Sequence, residues 1–289
     1  MKSITILSGK GGTGKTILTA SFAVLAESKV MADGDVDAAD LHLILKPEIQ
    51  REEVFEGGKA AVIDRAKCIE CDQCIDVCRF DAISDDFVID PINCEGCALC
   101  CYICPEDAIE MESSMAGRWY ISDTRHGPMV HARLGIAEEN SGKLVALVRQ
   151  QAKLIAERDD LEYVIVDGPP GIGCPVISSI TGTDLVVVVT EPTISGLHDL
   201  QRVISLATHF GVRSLVCVNK YDLNEQFTNQ IENYCDTVDS TFLGRIPFDT
   251  IVIEAMVNGK AVVEYSEDGG VSKEIRRIWT RVDAIAKQI

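Results

Sequence analysis

The sequence predicts an α/β protein built on a doubly wound, mainly parallel sheet, with a small α+β domain inserted into it. Three observations lead to this prediction: short apolar runs alternate with amphipathic stretches, a glycine-rich loop follows the first run, and nine of the twelve cysteines fall within 37 positions. Apolar strands that alternate with helices are typical of a parallel sheet covered on both faces. The predicted organisation is a first part of the main domain, residues 1–60, an inserted domain, residues 61–112, and a second part, residues 113–289.

The individual elements follow from hydrophobic periodicity. One helix should follow the glycine-rich loop and continue to Ala26, and a second should cover residues 141–158, where apolar positions share one face. The predicted strands, each an apolar and mostly β-branched run, are residues 3–8, 30–33, 163–167, 185–190, 215–219 and 242–246.

Composition excludes several classes of function. Lys and Arg number 27 against 45 Asp and Glu, a formal net charge of −18, which disfavours nucleic acids and anionic membranes as partners. The longest aliphatic run, residues 185–189, is far shorter than the roughly 20 residues that span a bilayer. We therefore expect a cytoplasmic protein without stable membrane insertion. The apolar stripe of the C-terminal helix should pack on the sheet; it comprises Ile275, Ile278, Trp279, Val282, Ile285 and Ile289.

The insertion is acidic, with 13 Asp and Glu against three Lys and Arg, and it repeats itself with a period of 26 residues. Each repeat carries the spacing Cys-x2-Cys-x2-Cys-x3-Cys, which is typical of iron–sulfur ligation; zinc or redox-active Cys-x2-Cys pairs are the alternatives. The segment resembles a bacterial two-cluster ferredoxin, in which the remote cysteine of each run binds the other cluster. The resemblance implies one 4Fe–4S cluster on the first set and a second cluster on the other set: Cys68, Cys71, Cys74 and Cys104, then Cys94, Cys97, Cys100 and Cys78.

Two further thiols need separate interpretations. Cys101 has no place in the repeated spacing; we expect a buried neighbour, with substitution for Cys100 as the alternative. Cys174 follows a predicted strand and invites a redox or ligand role, although a small buried thiol is the simpler interpretation.

The glycine-rich loop is a P-loop, because it follows a strand and opens a helix. Its glycines let backbone N–H groups face a phosphate, Lys15 should reach the β- and γ-phosphates, and Thr16 should bind Mg²⁺. The expected nucleotide-binding residues of this loop are Gly9, Lys10, Gly11, Gly12, Thr13, Gly14, Lys15 and Thr16.

The additional lysine in this loop, Lys10, resembles the deviant P-loop of the MinD, Mrp and nitrogenase iron protein family. The resemblance implies an ATP-sandwich homodimer in which Lys10 reaches the nucleotide of the partner subunit; the alternative is a lysine that faces solvent. Asp35 resembles the carboxylate of the family's first switch loop, which positions or activates the attacking water. Asp167 follows an apolar strand as a Walker B carboxylate for Mg²⁺, and both carboxylates are expected to act on the ion largely through water.

The base pocket is predicted by two later segments. Residues 219–222 look like the Asn-Lys-x-Asp motif that recognises guanine in GTPases. In the MinD-like family, however, the asparagine that matches Asn219 lies against adenine. Residues 244–249 resemble the loop that completes that pocket. The resemblance thus implies ATP rather than GTP, with base-pocket residues Asn219, Asp222, Pro247 and Asp249.

The predicted function is a Mg-dependent ATPase that couples ATP hydrolysis to electron transfer through two clusters to a protein partner with a basic docking patch. Two alternatives stay open. One is an ATP-dependent carrier that donates clusters to an acceptor protein, although the Cys-x-x-Cys pair of Mrp-like carriers is missing, since Cys217 and Cys235 are 18 apart. The other is an ATP switch whose clusters only sense redox state.

Overall fold

The computed structural model describes residues 1–135 and 141–289. It contains two compact units. The first comprises Met1–Glu52, Trp119–Arg133 and Ser141–Ile289, and the second comprises Glu53–Arg118 with the described residues Leu134 and Gly135. The predicted insertion, residues 61–112, falls within the second unit, which also takes in flanking residues on both sides. Residues 136–140 of the predicted second part lie outside the described residues.

Helices and strands alternate along most of the chain. The strands are β1 (Lys2–Ser8), β2 (Lys29–Asp33), β3 (Glu48–Ile63), β4 (Ile109–Thr124), β5 (Gly127–Leu134), β6 (Tyr163–Pro170), β7 (Leu185–Thr190), β8 (Arg213–Asn219) and β9 (Thr241–Ile246). The helices are α1 (Lys15–Leu25), α2 (Leu41–Leu45), α3 (Gln73–Val77), α4 (Leu99–Ile103), α5 (Ser141–Arg158), α6 (Cys174–Ile180), α7 (Ile194–His209), α8 (Glu225–Thr237), α9 (Ile251–Val257), α10 (Val262–Tyr265) and α11 (Gly270–Ala286).

The strands form one sheet in the order β3-β4-β5-β2-β6-β1-β7-β8-β9. At its centre β1 lies between β6 and β7, and β2, β7 and β8 extend the sheet on either side in parallel pairings. The order reverses direction at β1, as it does in doubly wound sheets. The prediction of an α/β fold with a mainly parallel sheet is confirmed.

Three strands were not predicted: β3, β4 and β5. Their sequences lack the apolar runs of the central strands. In particular, β3 is rich in charged residues and contains Gly57 and Gly58. The chain passes from the first unit to the second within β3 and returns within β4. The predicted limits of the insertion therefore fall near the inner ends of these strands, at the point where the cysteine-rich sequence begins and ends.

The core of the first unit explains the apolar central strands. In β7, Leu185, Val187 and Val189 face one cluster of buried side chains, whereas Val186 and Val188 face another. Helices α1 and α11 cover the first cluster, and α6, α7 and α8 cover the second. Burial on both faces favours strands with continuous apolar runs, and this is the pattern that made them predictable.

The C-terminal helix α11 packs on this core as predicted, but the predicted stripe is wrong at Ile289, which lies beyond the helix and is exposed. Ile275, Ile278, Trp279 and Val282 are buried, and the Trp279 ring lies 4.9 Å from that of Phe22. Nowhere in the described ranges is a helix both long enough and apolar enough to cross a membrane.

Candidate functional site

The P-loop connects the end of β1 to the start of α1 at Lys15. Gly12 and Gly14 have φ values of 79° and 92°, in the left-handed region that favours glycine. A Cβ at Gly14 would also collide with Nδ2 of Asn219, whose amide donates to the carbonyl of Thr13 at 2.8 Å. The loop conformation thus depends on glycine at position 14 and on an asparagine about 200 residues later in the chain.

Lys15 and Asp167 form the buried centre of the site. Lys15 Nζ donates to Asp167 Oδ1 at 3.0 Å and to Asp35 Oδ2 at 3.4 Å. Burial alone would lower the pKa of Lys15, but the charges of Asp167 and Asp35 outweigh it and raise that pKa. The other oxygen of Asp167 accepts from the Thr16 hydroxyl at 2.7 Å. The predicted phosphate-binding lysine and both predicted Mg²⁺ carboxylates therefore lie together.

Two residues that the sequence analysis did not select complete this centre. Asp33 is fully buried and accepts the backbone N–H groups of Asp35 at 3.2 Å and Leu41 at 3.3 Å, so it shapes the loop that carries Asp35. Burial and the nearby charge of Asp167 raise the pKa of Asp33 well above its ordinary value. Thr19, one turn after Lys15, donates to Asp167 Oδ1 at 2.9 Å. A carboxylate directly after a buried strand was the available signal for Asp33; Thr19 gave none.

A cavity of about 530 Å³ opens beside this centre, within the size range of small-molecule sites. Its wall includes the P-loop, Asp35 and one apolar side formed by Leu43, Phe248, Val252 and Met256. The predicted nucleotide-binding residues that line it are Gly11, Gly12, Thr13, Gly14, Lys15, Thr16, Asn219, Pro247 and Asp249. Gly9, Lys10 and Asp222 are not part of its lining.

Arg125, to which the sequence analysis assigned no role, fastens one wall of this cavity. Its guanidinium donates to the carbonyls of Ile44 and Leu45 at the end of α2 and forms a two-point ion pair with Glu264, at 2.8 and 3.1 Å. Although burial opposes it, the hydrogen bond from Arg125 lowers the pKa of Glu264 to about 2. The position of α2 beside the cavity is thus tied to the turn between β4 and β5.

Asp222 contacts the loop that lines the apolar side of the cavity, and its predicted contact with the base stays a prediction. Its carboxylate accepts the backbone N–H of Phe248 at 2.8 Å and so holds the loop that lines the apolar side of the cavity. The Asn-Lys-x-Asp pattern therefore separates into two roles in this chain: Asn219 supports the P-loop, and Asp222 supports the loop that contains Pro247 and Phe248.

We expect Asp222→Ala to weaken ATP binding between about threefold and tenfold, because it removes one charge-assisted hydrogen bond to this loop. Asp222→Asn keeps an oxygen acceptor and should bind ATP nearly as the unmodified chain does. Titration calorimetry with ATP and GTP is the measurement. A selective loss of GTP binding in Asp222→Asn would contradict this role, because it would mean that Asp222 reads the base.

Lys10 forms an ion pair with Glu191 at 3.2 Å and lies 3.5 Å from the Ser195 hydroxyl. Glu191 also pairs with Lys220 at 2.6 Å, and Lys220 contacts the carbonyl of Gly12 at 3.4 Å. Although burial opposes it, these two lysines lower the pKa of Glu191. Glu191 is a further residue that the sequence analysis missed, since its partners lie far away in the sequence.

In the second unit, two separate cavities are each lined by four of the eight repeated cysteines. The thiols around one cavity are those of Cys78, Cys94, Cys97 and Cys100, and around the other those of Cys68, Cys71, Cys74 and Cys104. The remote cysteine of each run, Cys78 or Cys104, thus lies at the cavity of the other run. Apolar side chains such as Ile83 and Phe87 surround these thiols.

The two repeats share a backbone conformation as well as a spacing. Positive φ values recur 26 residues apart, at Glu70 and Gly96, at Asp72 and Ala98, and at Asp81 and Asp107. Equivalent amides also contact equivalent thiols: Ala82 N–H donates to Cys78 Sγ at 3.4 Å, and Ala108 N–H donates to Cys104 Sγ at 3.3 Å. Turns that mix left- and right-handed residues direct their N–H groups towards an anion.

Among the described residues, no three or more His, Cys, Asp or Glu side chains are grouped so that they could hold a single metal ion. The remaining thiols lie in other settings. Cys101 is half-buried beside Cys100, and Cys217 and Cys235 are buried in the core of the first unit. Cys174 is exposed at the start of α6, so its interpretation as a buried thiol is wrong.

Comparisons with known proteins agree on one family. Residues 4–262 match the model described as the CobQ/CobB/MinD/ParA nucleotide binding domain. The chain is 34% identical to the uncharacterized protein MJ0578 of Methanocaldococcus jannaschii, over 96% of this chain and 95% of that protein. It is 25% identical to the septum site-determining protein MinD of Synechocystis, over 90% of this chain and 81% of that protein.

Solved structures show the same fold. The septum site-determining protein MinD of Pyrococcus horikoshii, complexed with Mg-ADP, aligns with a TM-score of 0.59 at 23% identity, over 99% of this chain and 97% of that chain. The MinC:MinD cell division protein complex of Aquifex aeolicus aligns with a TM-score of 0.59 at 19% identity, over 98% of this chain and 96% of that chain.

Proposed function

Because the chain belongs to the family of CobQ/CobB/MinD/ParA nucleotide-binding domains and is an ATPase, we propose that it couples ATP binding and hydrolysis to electron transfer through two 4Fe–4S clusters to a protein partner. The observation that carries this proposal is the division of eight cysteines into two sets of four, each around its own cavity. The P-loop unit supplies the ATPase, and residues 61–112 supply the ferredoxin-like domain.

The nucleotide site fits Mg-ATP by its own chemistry. The hydroxyl of Thr13 is buried at the cavity without a hydrogen-bond partner in the described chain. This is expected of a group that donates to a phosphate oxygen of the bound nucleotide. Lys15 would bind the phosphates, Asp35 would orient the attacking water, and Asp167 and Thr16 would hold Mg²⁺, in part through water. The ion would neutralise charge on the phosphate oxygens.

The number and kind of side chains around each cysteine cavity, four thiols, match what one 4Fe–4S cluster needs. A cubane cluster binds one thiolate at each of four irons, so its ligands surround it and do not converge on one ion. In each set one cysteine, Cys78 or Cys104, also accepts a backbone N–H, which suits the negative charge of a thiolate ligand. When bound, the clusters would supply one-electron redox chemistry.

The active form that we propose is a cytoplasmic homodimer closed by ATP, and neither nucleic acid nor membrane insertion is part of its function. In the described chain, the ion pair with Glu191 holds the Lys10 side chain outside the nucleotide cavity. To reach the nucleotide of a partner subunit, Lys10 must leave Glu191.

We expect Lys10→Ala to keep ATP binding within about threefold and to lower hydrolysis by at least about tenfold, because a cation supplied in trans stabilises charge in the transition state. Sedimentation velocity with and without a non-hydrolysable ATP analogue should show that the variant no longer dimerises. Lys153→Ala, which removes an exposed lysine of α5, is the matched control. A dimer that forms equally well in both variants would contradict the proposed role of Lys10.

Cluster donation is the second candidate function, and one observation favours it: each cavity has one exposed cysteine, Cys71 or Cys97. The test mixes anaerobically reconstituted protein with an apo-ferredoxin, with and without Mg-ATP, and counts iron and sulfide on each protein after separation. Clusters that stay in place support electron transfer, and a shift of their reduction potential with ATP would establish the coupling. Clusters that move to the acceptor with ATP contradict our proposal. Binding of about eight irons per chain is required by both functions.

A further inference from the structure

Helix α4 of the second unit presents two apolar side chains to solvent. Leu99 is 41% exposed and Tyr102 is 89% exposed. They lie three residues apart and therefore share one face of the helix. An aromatic side chain with so little burial contributes little to the stability of its own chain.

The position of this face in the chain connects it to both cysteine sets. Cys100, between Leu99 and Tyr102, lines one cavity, and Cys104, two residues after Tyr102, lines the other. In the proposed function, an electron can leave either cluster close to this face.

The internal repeat provides a comparison within the same molecule. With the period of 26, Leu99 and Tyr102 correspond to Gln73 and Asp76 of α3, which are exposed and polar. Both helices have five residues and the same relation to their cysteines. The fold of a repeat therefore does not require apolar side chains at these two positions, and only the second repeat has them.

We propose that the α4 face, defined as Leu99 and Tyr102, is the docking surface for a redox protein whose contact region is apolar at its centre and rich in Lys and Arg at its rim. The charge of the insertion selects this partner: residues 61–112 hold 13 acidic and three basic side chains, and the exposed Glu95 and Glu106 flank α4 in the sequence. Tyrosine is among the residues that most often dominate binding at the centre of such interfaces. This inference rests on the proposed electron-transfer function.

The test uses the full chain loaded with clusters and reduced by dithionite, and cytochrome c as a basic acceptor. One electron leaves the reduced chain and converts one ferric haem to ferrous, which stopped-flow absorbance records. Tyr102→Ser should slow this reaction at least fivefold, whereas Tyr102→Phe, which keeps the ring, should match the unmodified chain. Val88→Ser is the control, because Val88 is 61% exposed in the same unit but lies outside α4.

A second readout does not depend on electron flow. Calorimetry of the oxidised chain with oxidised cytochrome c should give a Kd that rises at least fivefold in Tyr102→Ser and rises with added NaCl for all variants. Equal rates and equal Kd values in Tyr102→Ser and Val88→Ser would overturn the docking surface. Faster reduction of an acidic flavodoxin than of cytochrome c would overturn it as well. Iron and sulfide analysis of the same samples separates this failure from that of the proposed function, which fails if the chain binds no clusters.

Discussion

Lys15→Ala should abolish ATP binding, lowering the affinity by about a hundredfold or more. Its iron content should stay at about eight per chain. Lys15 lies between Asp167 and Asp35, and its loss removes the cation that would bind the phosphates. The cysteine cavities are lined entirely by residues of the second unit, so cluster binding should not depend on Lys15. Titration calorimetry and iron analysis on the same preparation are the measurements.

The same substitution should change stability in a pH-dependent way. Without Lys15, the buried carboxylates lose their counter-charge, which should lower the free energy of unfolding by about 3 kcal/mol at neutral pH. The pKa values of Asp33 and Asp35 are already raised above their ordinary value of 3.8, so the folded state retains protons that the unfolded state releases. Stability of the variant should therefore fall as pH rises above about 4, and mild acid should recover part of the loss.

Lys10→Ala is the matched control for this experiment, because Lys10 does not line the nucleotide cavity and pairs with Glu191. It should bind ATP and keep both clusters. ATP binding by Lys15→Ala within about threefold of the unmodified chain would contradict the P-loop assignment. Loss of iron in Lys15→Ala would contradict the independence of the two units.

Paired cysteine substitutions should separate the two proposed clusters. The double variant Cys71→Ala with Cys104→Ala removes two thiols from one cavity and should leave about four irons per chain. The double variant Cys71→Ala with Cys78→Ala removes one thiol from each cavity and should lose most of its iron. Iron and sulfide analysis, with electron paramagnetic resonance of the reduced protein, distinguishes the two.

The two double variants distinguish ligation across the runs from ligation within each run, because ligation within each run predicts the opposite result. Cys71 and Cys78 belong to the same run, so their joint loss would then spare one cluster, and the first double variant would lose both. Cys174→Ala is the control, because that thiol lies in the first unit, and it should keep about eight irons. Full iron content in both double variants would contradict iron–sulfur ligation by these cysteines.

Local motifs made most of the fold and much of the site predictable. The central strand β7 is apolar at nearly every position, and β1 and β8 contain shorter apolar runs, because both faces of the sheet are buried; this pattern is visible in the sequence. The P-loop and the cysteine runs are contiguous, so their spacing determines their local geometry.

Contacts between distant segments were not predictable from such patterns. Asp222 holds Phe248 through a backbone N–H, and no side-chain pattern marks a backbone donor. Glu191 pairs with Lys10 and Lys220, which lie 181 and 29 residues away in the sequence. The left-handed conformations of Asp72 and Ala98 were also hidden, since only glycine announces a positive φ reliably. Strand β3 was not predicted because its sequence is rich in charged residues. Its pairing with β4 does not require a continuous apolar run.

The two strands through which the chain enters and leaves the second unit, β3 and β4, are neighbours in the sheet. A segment whose two ends lie on adjacent strands adds no crossover connection and crosses no other loop. A change in the length of this segment therefore alters one connection between neighbouring strands and leaves the order of the central strands as it is.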